Sequence, residues 1–141
     1  MPDDNLIIRK ASWMSDNAAI KQIRTEVFIK EQRVTEELEW DDHDNSALHC
    51  LALINDKAVA TGRLQTDGQI GRMAVLKPYR RTGIGSKVLL FLINAATAEN
   101  KERIFLHAQK QAVEFYKKFN FIQDGNEFME AGIPHYLMTL K

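Results

Sequence analysis

The chain has 141 residues, 45% of them hydrophobic, which is enough for one domain whose core needs no disulfide or metal ion. Nineteen basic and nineteen acidic side chains cancel, so the net charge gives no long-range attraction to nucleic acid or to an anionic membrane. Cys50 is the single cysteine, which excludes an intrachain disulfide and a zinc site built from several thiolates.

The sequence also lacks the usual membrane and export signals. Residues 1–4 do not have the basic and then apolar profile of a signal peptide. No apolar run approaches the ~20 residues that a membrane-spanning helix needs. We therefore expect a cytoplasmic protein.

The first 45 residues predict a short strand, a helix and an acidic segment. Residues 6–8 are apolar and predict the strand. Ser15 or Asp16 offers an N-cap for a helix that runs to about Lys30, because its apolar residues recur at helical spacing. Segment 33–45 contains six acidic residues, and this charge density favours an exposed loop or a short helical turn.

The middle of the chain predicts three antiparallel strands in a row. Residues 48–54 and 58–65 form the first two, and Asp67-Gly68 is typical of a hairpin turn into a third strand that starts at Gln69. Cys50 lies in the first of these strands. We expect a buried thiol there, since a nucleophilic cysteine needs an electropositive neighbourhood that the sequence does not supply.

The remaining elements alternate helices and strands. Residues 87–98 predict a helix, and residues 103–107 predict a buried strand parallel to residues 70–75, because a crossover helix joins the two. Four side chains at helical spacing predict another helix: Ala112, Phe115, Tyr116 and Phe119. Asn120 can cap that helix in the left-handed conformation, and residues 121–122 and 133–140 supply the last strands.

Between the third strand and the helix lies a loop with two glycines, Gly83 and Gly85. Glycine lets successive backbone N–H groups turn inward, and the first amides of a helix are unpaired and carry a partial positive charge. No acidic residue stands in the first turn of this helix. The loop therefore predicts an anion site.

The spacing of this loop excludes two common nucleotide sites. A Walker A loop needs a glycine, four residues and then Gly-Lys-Ser/Thr, whereas Gly85 precedes Ser86-Lys87 and the upstream glycine is missing. A dinucleotide-binding fingerprint needs a third glycine where Val88 stands. We expect neither a nucleoside triphosphate nor a dinucleotide.

The remaining pattern is Arg80-x-x-Gly83-x-Gly85, preceded by Met73-Ala74-Val75 and Pro78. It resembles the pyrophosphate-binding loop of the GNAT superfamily of acyl-CoA-dependent N-acyltransferases, and the predicted order β-α-β-β-β-α-β-α-β-β is similar to that of a GNAT domain. The resemblance implies a single α/β (α+β) domain over residues 1–141. Its mixed sheet would have about six to seven strands, helices on both faces and a splayed pair of parallel strands.

The same resemblance implies a binding site for coenzyme A. Backbone groups of the third strand would pair with the pantetheine arm, while the glycine loop and its arginines would hold the pyrophosphate. The implied cofactor residues are Met73, Ala74, Val75, Arg80, Arg81, Thr82, Gly83, Ile84, Gly85, Ser86, Gln109 and Tyr116. The alternative is a glycine loop that only turns the chain.

A second motif, Gln109-x-x-Ala112-x-x-x-Tyr116 followed by Asn120-Phe121, is similar to the family's Asn-x-x-Ala-x-x-x-Tyr with Gly-Phe behind it. It implies that Tyr116 is the general acid for the departing CoA thiolate. A phenol suits that role because its reference pKa of about 10 keeps it protonated at neutral pH. The alternative is a core tyrosine. Gln109 in place of asparagine keeps an amide that can bond the cofactor arm.

Two further stretches resemble a group of small bacterial GNAT proteins with mostly unknown acceptors: Val27-Phe28-x-x-Glu31-Gln32 and Gly132-Ile133-Pro134-His135-x-x-Met138. The candidates that could bind the acceptor are Glu31, Glu39, Asp41 and His135. Glu31 and the acidic segment could attract a cationic amine and relay its proton, although a solvated loop is the simpler account. His135 could be a general base, since its reference pKa is about 6.5, or it could tether the Pro134 turn.

The sequence thus predicts an acetyl-CoA-dependent N-acetyltransferase in which a neutral primary amine attacks the thioester directly, with catalytic candidates Tyr116, His135 and Glu31. His43 and His49 have no metal-ligand spacing with each other or with Cys50, so we expect no metal. The rival hypothesis is a CoA-binding sensor without transfer activity. The acceptor could be a peptide amine, a polyamine, an amino sugar or an antibiotic, and the acidic segment favours a cationic small molecule or a lysine side chain. A monomer and a homodimer both stay open, without nucleic-acid or membrane partners.

Overall fold

Residues 5–141 are described by a computed structural model, and their strands form one mixed sheet. The strands are β1 Leu6–Ala11, β2 Leu48–Ile54, β3 Lys57–Leu64, β4 Gln69–Val75, β5 Phe105–Gln109, β6 Phe121–Glu130 and β7 Ile133–Leu140. The helices are α1 Trp13–Arg24, continued by a π-helical stretch Thr25–Glu31, then α2 Glu36–Glu39, α3 Ile84–Ala98 and α4 Val113–Lys117. Short 3₁₀ turns cover Asp42–Asp44, Lys77–Tyr79 and Lys110–Ala112.

The strand order is β1-β2-β3-β4-β5-β7-β6. The pair β4–β5 is parallel, as predicted from the crossover helix α3, and the other neighbouring pairs are antiparallel. This arrangement confirms the predicted fold class. Residues 1–4, on which the argument about a signal peptide rested, lie outside the described residues.

Helices cover both faces of the sheet, as predicted. On β2, Cys50 and Ala52 belong to the core cluster that α3 closes with Leu89 and Leu92, whereas Leu51 belongs to the cluster on the α1 face. This alternation is the period of two that places successive side chains on opposite faces of a strand. Each fully buried leucine contributes about 1.5–3 kcal/mol to folding.

A β-bulge interrupts β4 at Arg72, whose φ of 49° is in the left-handed region. There β4 has one residue more than β3, and the extra residue reverses the alternation of faces. Ile70 and Ala74 are four residues apart and would share a face in a regular strand, yet they lie in the clusters on opposite faces. The bulge bends β4 just where it leaves β5.

The parallel strands β4 and β5 splay beyond their first contacts. Two register pairs join them, Gln69 with Phe105 and Ile70 with Leu106. After these pairs, residues of both strands line a cavity instead of a hydrogen-bonded ladder. The predicted splayed strand pair is therefore present, and we call the space between the strands the wedge.

Several boundaries differ from the prediction: β1 continues to Ala11, α3 begins at Ile84 and β5 spans Phe105–Gln109. Helix α1 begins at Trp13, three residues before Asp16, and the Asp16 carboxylate accepts a hydrogen bond from the backbone N–H of Ser12 at 2.9 Å instead of capping from the N-cap position. Strand β6 does not stop at Ile122 but continues to Glu130. A two-residue turn at 131–132 with positive φ at both positions then leads into β7, and such turns match the twist of a hairpin.

Candidate active site

The wedge contains a cavity of about 220 Å³. Gly71 and Met73 of β4 line one side, His107 of β5 lines the other, and Tyr116 of α4 lines it as well. A Cβ placed on Gly71 would have no heavy atom within 4 Å, so this side of the wedge is open. An extended chain with polar amides could therefore enter beside the free edge of β4.

The glycine loop leads directly into the N-terminus of α3. Gly83 is the N-cap residue with φ 86°, and Arg81 has φ 65°. The Thr82 hydroxyl donates to the carbonyl of Tyr79 at 2.7 Å and fixes the turn. The first turn of α3 has no acidic residue, and Arg81, Thr82 and Gly83 are exposed. The loop therefore suits an anionic group that several amides hold together.

Arg80 connects this loop to the end of the π-helical stretch. Its Nε donates to the carbonyl of Val75 at 2.9 Å, and its two terminal nitrogens donate to Glu31 at 2.6 and 2.7 Å. The hydrogen bonds from Arg80 hold the pKa of Glu31 below its usual value. Glu31 thus lies beside the loop as the partner of Arg80, and a lowered pKa makes a carboxylate a weaker base.

Tyr116 is half-buried between aromatic rings and the wedge. Its ring packs against Phe115 and Phe121, with centroids 5.1 and 6.0 Å away, and its hydroxyl lies 4.0 Å from the Met73 sulfur. Burial raises the pKa of Tyr116 to about 12. The phenol therefore keeps its proton throughout the physiological range and is a donor inside the wedge cavity.

Gln109 lies between two glutamine side chains. Its amide nitrogen donates to Gln32 at 2.9 Å, and its amide oxygen accepts from Gln111 at 2.6 Å. Gln32 follows the π-helical stretch and, like Gln109, lines the wedge cavity. This pairing joins the π-helical stretch to β5, and no local sequence pattern predicted it.

The acidic segment contains the short helical turn that the sequence offered, α2, but two of its carboxylates are not exposed: Glu39 is 3% exposed and Asp44 is 4% exposed. Both bind the fully buried Arg24, whose nitrogens donate to Glu39 at 2.6 Å and to Asp44 at 2.8 Å. Arg24 also lies 4.8 Å from the centroid of the Trp40 ring. A buried charge loses its hydration, so charged side chains are found buried mainly where they pair with an opposite charge.

Two more arginines complete this group, which we call the three-arginine cluster. Arg63 donates to Asp41 at 2.8 Å and to Asp44 at 2.9 Å, and Arg72 donates to Asp41 at 3.2 Å. The members are Arg24, Arg63, Arg72, Glu39, Asp41 and Asp44. Glu39 and Asp41 do line a second cavity of about 390 Å³, which adjoins the wedge, but arginines neutralise both.

A different carboxylate, Glu130, faces both cavities, and no sequence motif had pointed to it. Glu130, the last residue of β6, accepts a hydrogen bond from His107 Nδ1 at 2.9 Å, and its second oxygen lies 3.8 Å from His135 Nε2. His135 is 6% exposed, and all three residues line both cavities. The Ala131-Gly132 turn could have predicted this arrangement, because a hairpin there brings Glu130 beside β7, the strand of His135.

Cys50 is fully buried, and burial raises the pKa of its thiol to about 12. A thiol with so high a pKa is a poor nucleophile. Among residues 5–141, no three histidine, cysteine or acidic side chains converge as a metal site would require. The absence of a metal nevertheless stays a prediction.

Comparison with known proteins agrees with this geometry. The family model described as "Acetyltransferase (GNAT) domain" matches residues 11–141. The "Uncharacterized N-acetyltransferase YjcF" of Bacillus subtilis is 38% identical over 120 residues, which cover 82% of this chain and 86% of that protein.

Solved structures give the same answer for the fold. An acyl-CoA N-acyltransferase from Pseudomonas aeruginosa superposes with a TM-score of 0.87 at 25% identity, covering 96% of this chain and 99% of that one. A GNAT family acetyltransferase from Elizabethkingia anophelis, solved with acetyl-CoA bound, has a TM-score of 0.74 at 19% identity and covers 98% and 99%.

Proposed function

Because this chain belongs to the GNAT acetyltransferase family, and so is an N-acetyltransferase, we propose that it transfers an acetyl group from acetyl-CoA to a primary amine by direct attack. The observation that carries the proposal is the wedge itself. It is open beside Gly71, it has the protonated Tyr116 in its wall, and it adjoins a helix N-terminus without acidic residues.

The residues present fit acetyl-CoA as the donor. Backbone groups of Met73, Ala74 and Val75 would pair with the pantetheine arm. The amides from Arg81 to Ser86 would bind the pyrophosphate, with charge added by Arg81. Arg80, the other predicted arginine, would have to leave Glu31 to add its own charge. Each exposed contact between a charge and a helix start contributes only about 0.3–1 kcal/mol, so tight binding requires several amides together. The relative from Elizabethkingia anophelis supports this choice of donor.

In the proposed reaction the amine nitrogen bonds to the thioester carbonyl carbon, and the carbon–sulfur bond then breaks. Tyr116 gives its proton to the thiolate sulfur. The amine's proton goes to a base, for which the sequence offered Glu31 and His135. We favour His135, since Glu31 is paired with Arg80 beside the loop whereas His135 lines both cavities. No covalent enzyme intermediate is needed.

The second cavity is the proposed site of the acceptor. Because arginines pair with Glu39 and Asp41, the remaining negative charge on its lining comes from Asp67 and Glu130. A cationic small molecule or a lysine side chain suits such a lining. The acceptors to be tried are peptide amines, polyamines, amino sugars and amine-bearing antibiotics.

The proposal is tested by the release of free thiol from acetyl-CoA in the presence of a panel of these amines. Turnover with any amine supports the transferase. The rival, a sensor that binds CoA without transfer, predicts that CoA raises the melting temperature while no amine releases thiol. That outcome would overturn the proposed function.

The Tyr116→Phe variant tests the role of the phenol. Loss of a general acid lowers kcat by about 10²–10⁴-fold, while protection by CoA against heat should be unchanged. Tyr136→Phe is the matched control, because Tyr136 lies on β7 with its hydroxyl 3.5 Å from Glu127 and is outside the linings of both cavities. Equal activity of the two variants would exclude Tyr116 as the acid.

Other expectations stay predictions. Among residues 5–141, no helix has both the length and the hydrophobicity to cross a bilayer. We predict a cytoplasmic location, a monomer or homodimer, and no nucleic-acid partner.

A further inference from the structure

The register of the sheet brings three titratable side chains to one face, and we call them the His–Glu–His cluster: His107, Glu130 and His135. On β7, His135 is the register partner of Gln109 on β5 and of Phe128 on β6. His107 stands two residues before Gln109, and Glu130 stands two residues after Phe128. Since side chains two apart share a face, all three point into the same space.

The hydrogen bonds of His135 determine where its lone pair lies. Its Nδ1 is 2.7 Å from the carbonyl oxygen of Ile133, and a carbonyl can only accept, so Nδ1 carries the proton. In the neutral ring the lone pair is then on Nε2. That nitrogen faces the Glu130 carboxylate across 3.8 Å, which leaves it without a direct hydrogen bond to Glu130 and able to take a proton.

Glu130 is held as an anion. Its Oε1 accepts a hydrogen bond from His107 Nδ1, and this bond holds the pKa of Glu130 below its usual value. A carboxylate with a lowered pKa is a poor base but a good partner for a cation. The Phe128 ring stacks on His135 with centroids 5.9 Å apart and meets His107 edge-on at 5.2 Å, which fixes both imidazoles.

We propose that His135 Nε2 takes the proton of the attacking amine, and that Glu130, oriented by His107, stabilises the imidazolium that forms. This inference rests on the proposed function. His135 is the catalytic base, and Glu130 and His107 are positioning residues. As the carbon–nitrogen bond forms and the carbon–sulfur bond breaks, one proton moves from nitrogen to His135 and one from Tyr116 to sulfur. The proton on His135 then returns to the Tyr116 phenolate through solvent.

Other charges around the cluster are balanced among themselves. Arg72 lies close enough to Glu130 to lower its pKa further, but its own hydrogen bonds go to Asp41 and to the carbonyls of Leu38 and Glu39. Across the larger cavity Arg63 is paired with Asp41 and Asp44. The three-arginine cluster contains three cations and three anions, and Asp67, the other carboxylate of this cavity, accepts from the backbone N–H of Gln69. Glu130 is the carboxylate in contact with His135.

The pH dependence of kcat/KM in Glu130→Gln is the first test. The carboxylate of Glu130 stabilises the positive charge that forms in the reaction, so its removal should move the acidic limb of kcat/KM to lower pH than in the wild type. The plateau should fall as well, because a weaker base accelerates less. His135→Asn should remove the limb and lower the plateau by about 10²–10⁴-fold.

The matched control is Glu127→Gln, which also removes one carboxylate from β6. Glu127 pairs with Lys110 at 3.1 Å and is outside both cavity linings, so its profile should follow the wild type. Glu130→Asp keeps the charge and should restore the position of the limb. Glu130→Ala, which also removes the carboxylate, replaces Glu130→Gln if the amide variant does not fold.

A second measurement does not need an acceptor. NMR of ¹⁵N-labelled histidine rings in the whole protein should find the Nδ1–H tautomer for neutral His135. The Nε2 chemical shift of the protonated ring should change in Glu130→Gln, which removes the carboxylate that this nitrogen faces, and not in Glu127→Gln. An Nε2–H tautomer of neutral His135, or an Nε2 chemical shift that Glu130→Gln leaves in place, would overturn the proposal.

Two different outcomes distinguish a wrong role for Glu130 from a wrong proposed function. If an amine is acetylated and Glu130→Gln keeps the wild-type profile, the transferase stands and the role of Glu130 is wrong. If no amine releases thiol from the wild type, the proposed function is wrong and the assignment of His135 as its base is wrong with it.

Discussion

Arg80 and Glu31, 49 residues apart in the chain, form a two-bond ion pair at 2.6 and 2.7 Å. The pair fastens the end of the π-helical stretch to the loop that precedes α3. Because Arg80 also donates to the carbonyl of Val75, one guanidinium connects β4, the loop and the first helical region. Glu31, which was a candidate base, therefore holds Arg80 in place beside the predicted cofactor loop.

This pair predicts a loss of stability in acid that Glu31→Gln should remove. The folded-state pKa of Glu31 is below its reference value, so the pair's contribution is complete above about pH 4.5 and is lost as pH falls through the folded-state pKa. Both side chains are about one-third exposed, so the contribution is at most about 1 kcal/mol. Urea unfolding should show that Glu31→Gln has a lower free energy of unfolding than the wild type at pH 7. This difference should shrink as the pH is lowered.

The control for this prediction is Glu26→Gln. Glu26 forms a single contact with Lys30 at 3.0 Å on the same helical segment, and such exposed pairs contribute about 0.3–0.5 kcal/mol. If Glu31→Gln has no larger effect than this at pH 7, the Arg80 pair does not stabilise the fold.

Gly68 and Gly125 offer a matched pair of substitutions. Their φ angles are 95° and 89°, so alanine at either position costs about 1–2 kcal/mol from the left-handed conformation. A Cβ on Gly125 meets nothing within 4 Å, whereas one on Gly68 would lie 1.8 Å from the carbonyl oxygen of Arg103. Gly68→Ala should therefore lose about 1–3 kcal/mol more than Gly125→Ala. Equal midpoints in urea would contradict this account of the turn.

Local patterns predicted most of the sheet because they depend on neighbouring residues. Strand β2 and strand β7 have the bounds that were predicted, 48–54 and 133–140. Turn residues were also informative, since Asp67-Gly68 predicted the turn into β4 and Gly68 has a φ of 95° there. Strand β6 was predicted too short because its polar residues 123–127 lack an apolar alternation.

Partners that are distant in the chain could not be predicted in this way. The acidic segment has the composition of a solvated loop, and only the fold brings Arg63 and Arg72 of neighbouring strands against it. Glu130 is likewise 23 residues from His107. The sequence identified the loop, Tyr116 and His135 as candidates through a family resemblance, but their partners depend on the register of the strands.

The three-arginine cluster predicts a large cost for removing one of its members. Arg24→Met would leave Glu39 and Asp44 buried beside an apolar side chain, and breaking a buried ion pair costs about 3–5 kcal/mol. Lys21→Met is the matched control, because it removes an exposed cation from the same helix and should change the free energy of unfolding by no more than about 0.5 kcal/mol. Similar urea midpoints for the two variants would mean that the cluster is not stabilising.

The open side of the wedge predicts that Gly71 can be changed without harm to the fold but not without harm to cofactor binding. Its φ is outside the left-handed region and a Cβ there meets no atom within 4 Å, so Gly71→Ala should be tolerated and should even gain about 0.5–1 kcal/mol from a less flexible unfolded chain. Gly71→Leu should also fold, but its side chain would occupy the wedge and weaken CoA binding by at least about tenfold, a cost of about 1.4 kcal/mol. Calorimetric titration of both variants with CoA makes the comparison. If Gly71→Leu binds CoA as the wild type does, the pantetheine arm does not enter between β4 and β5.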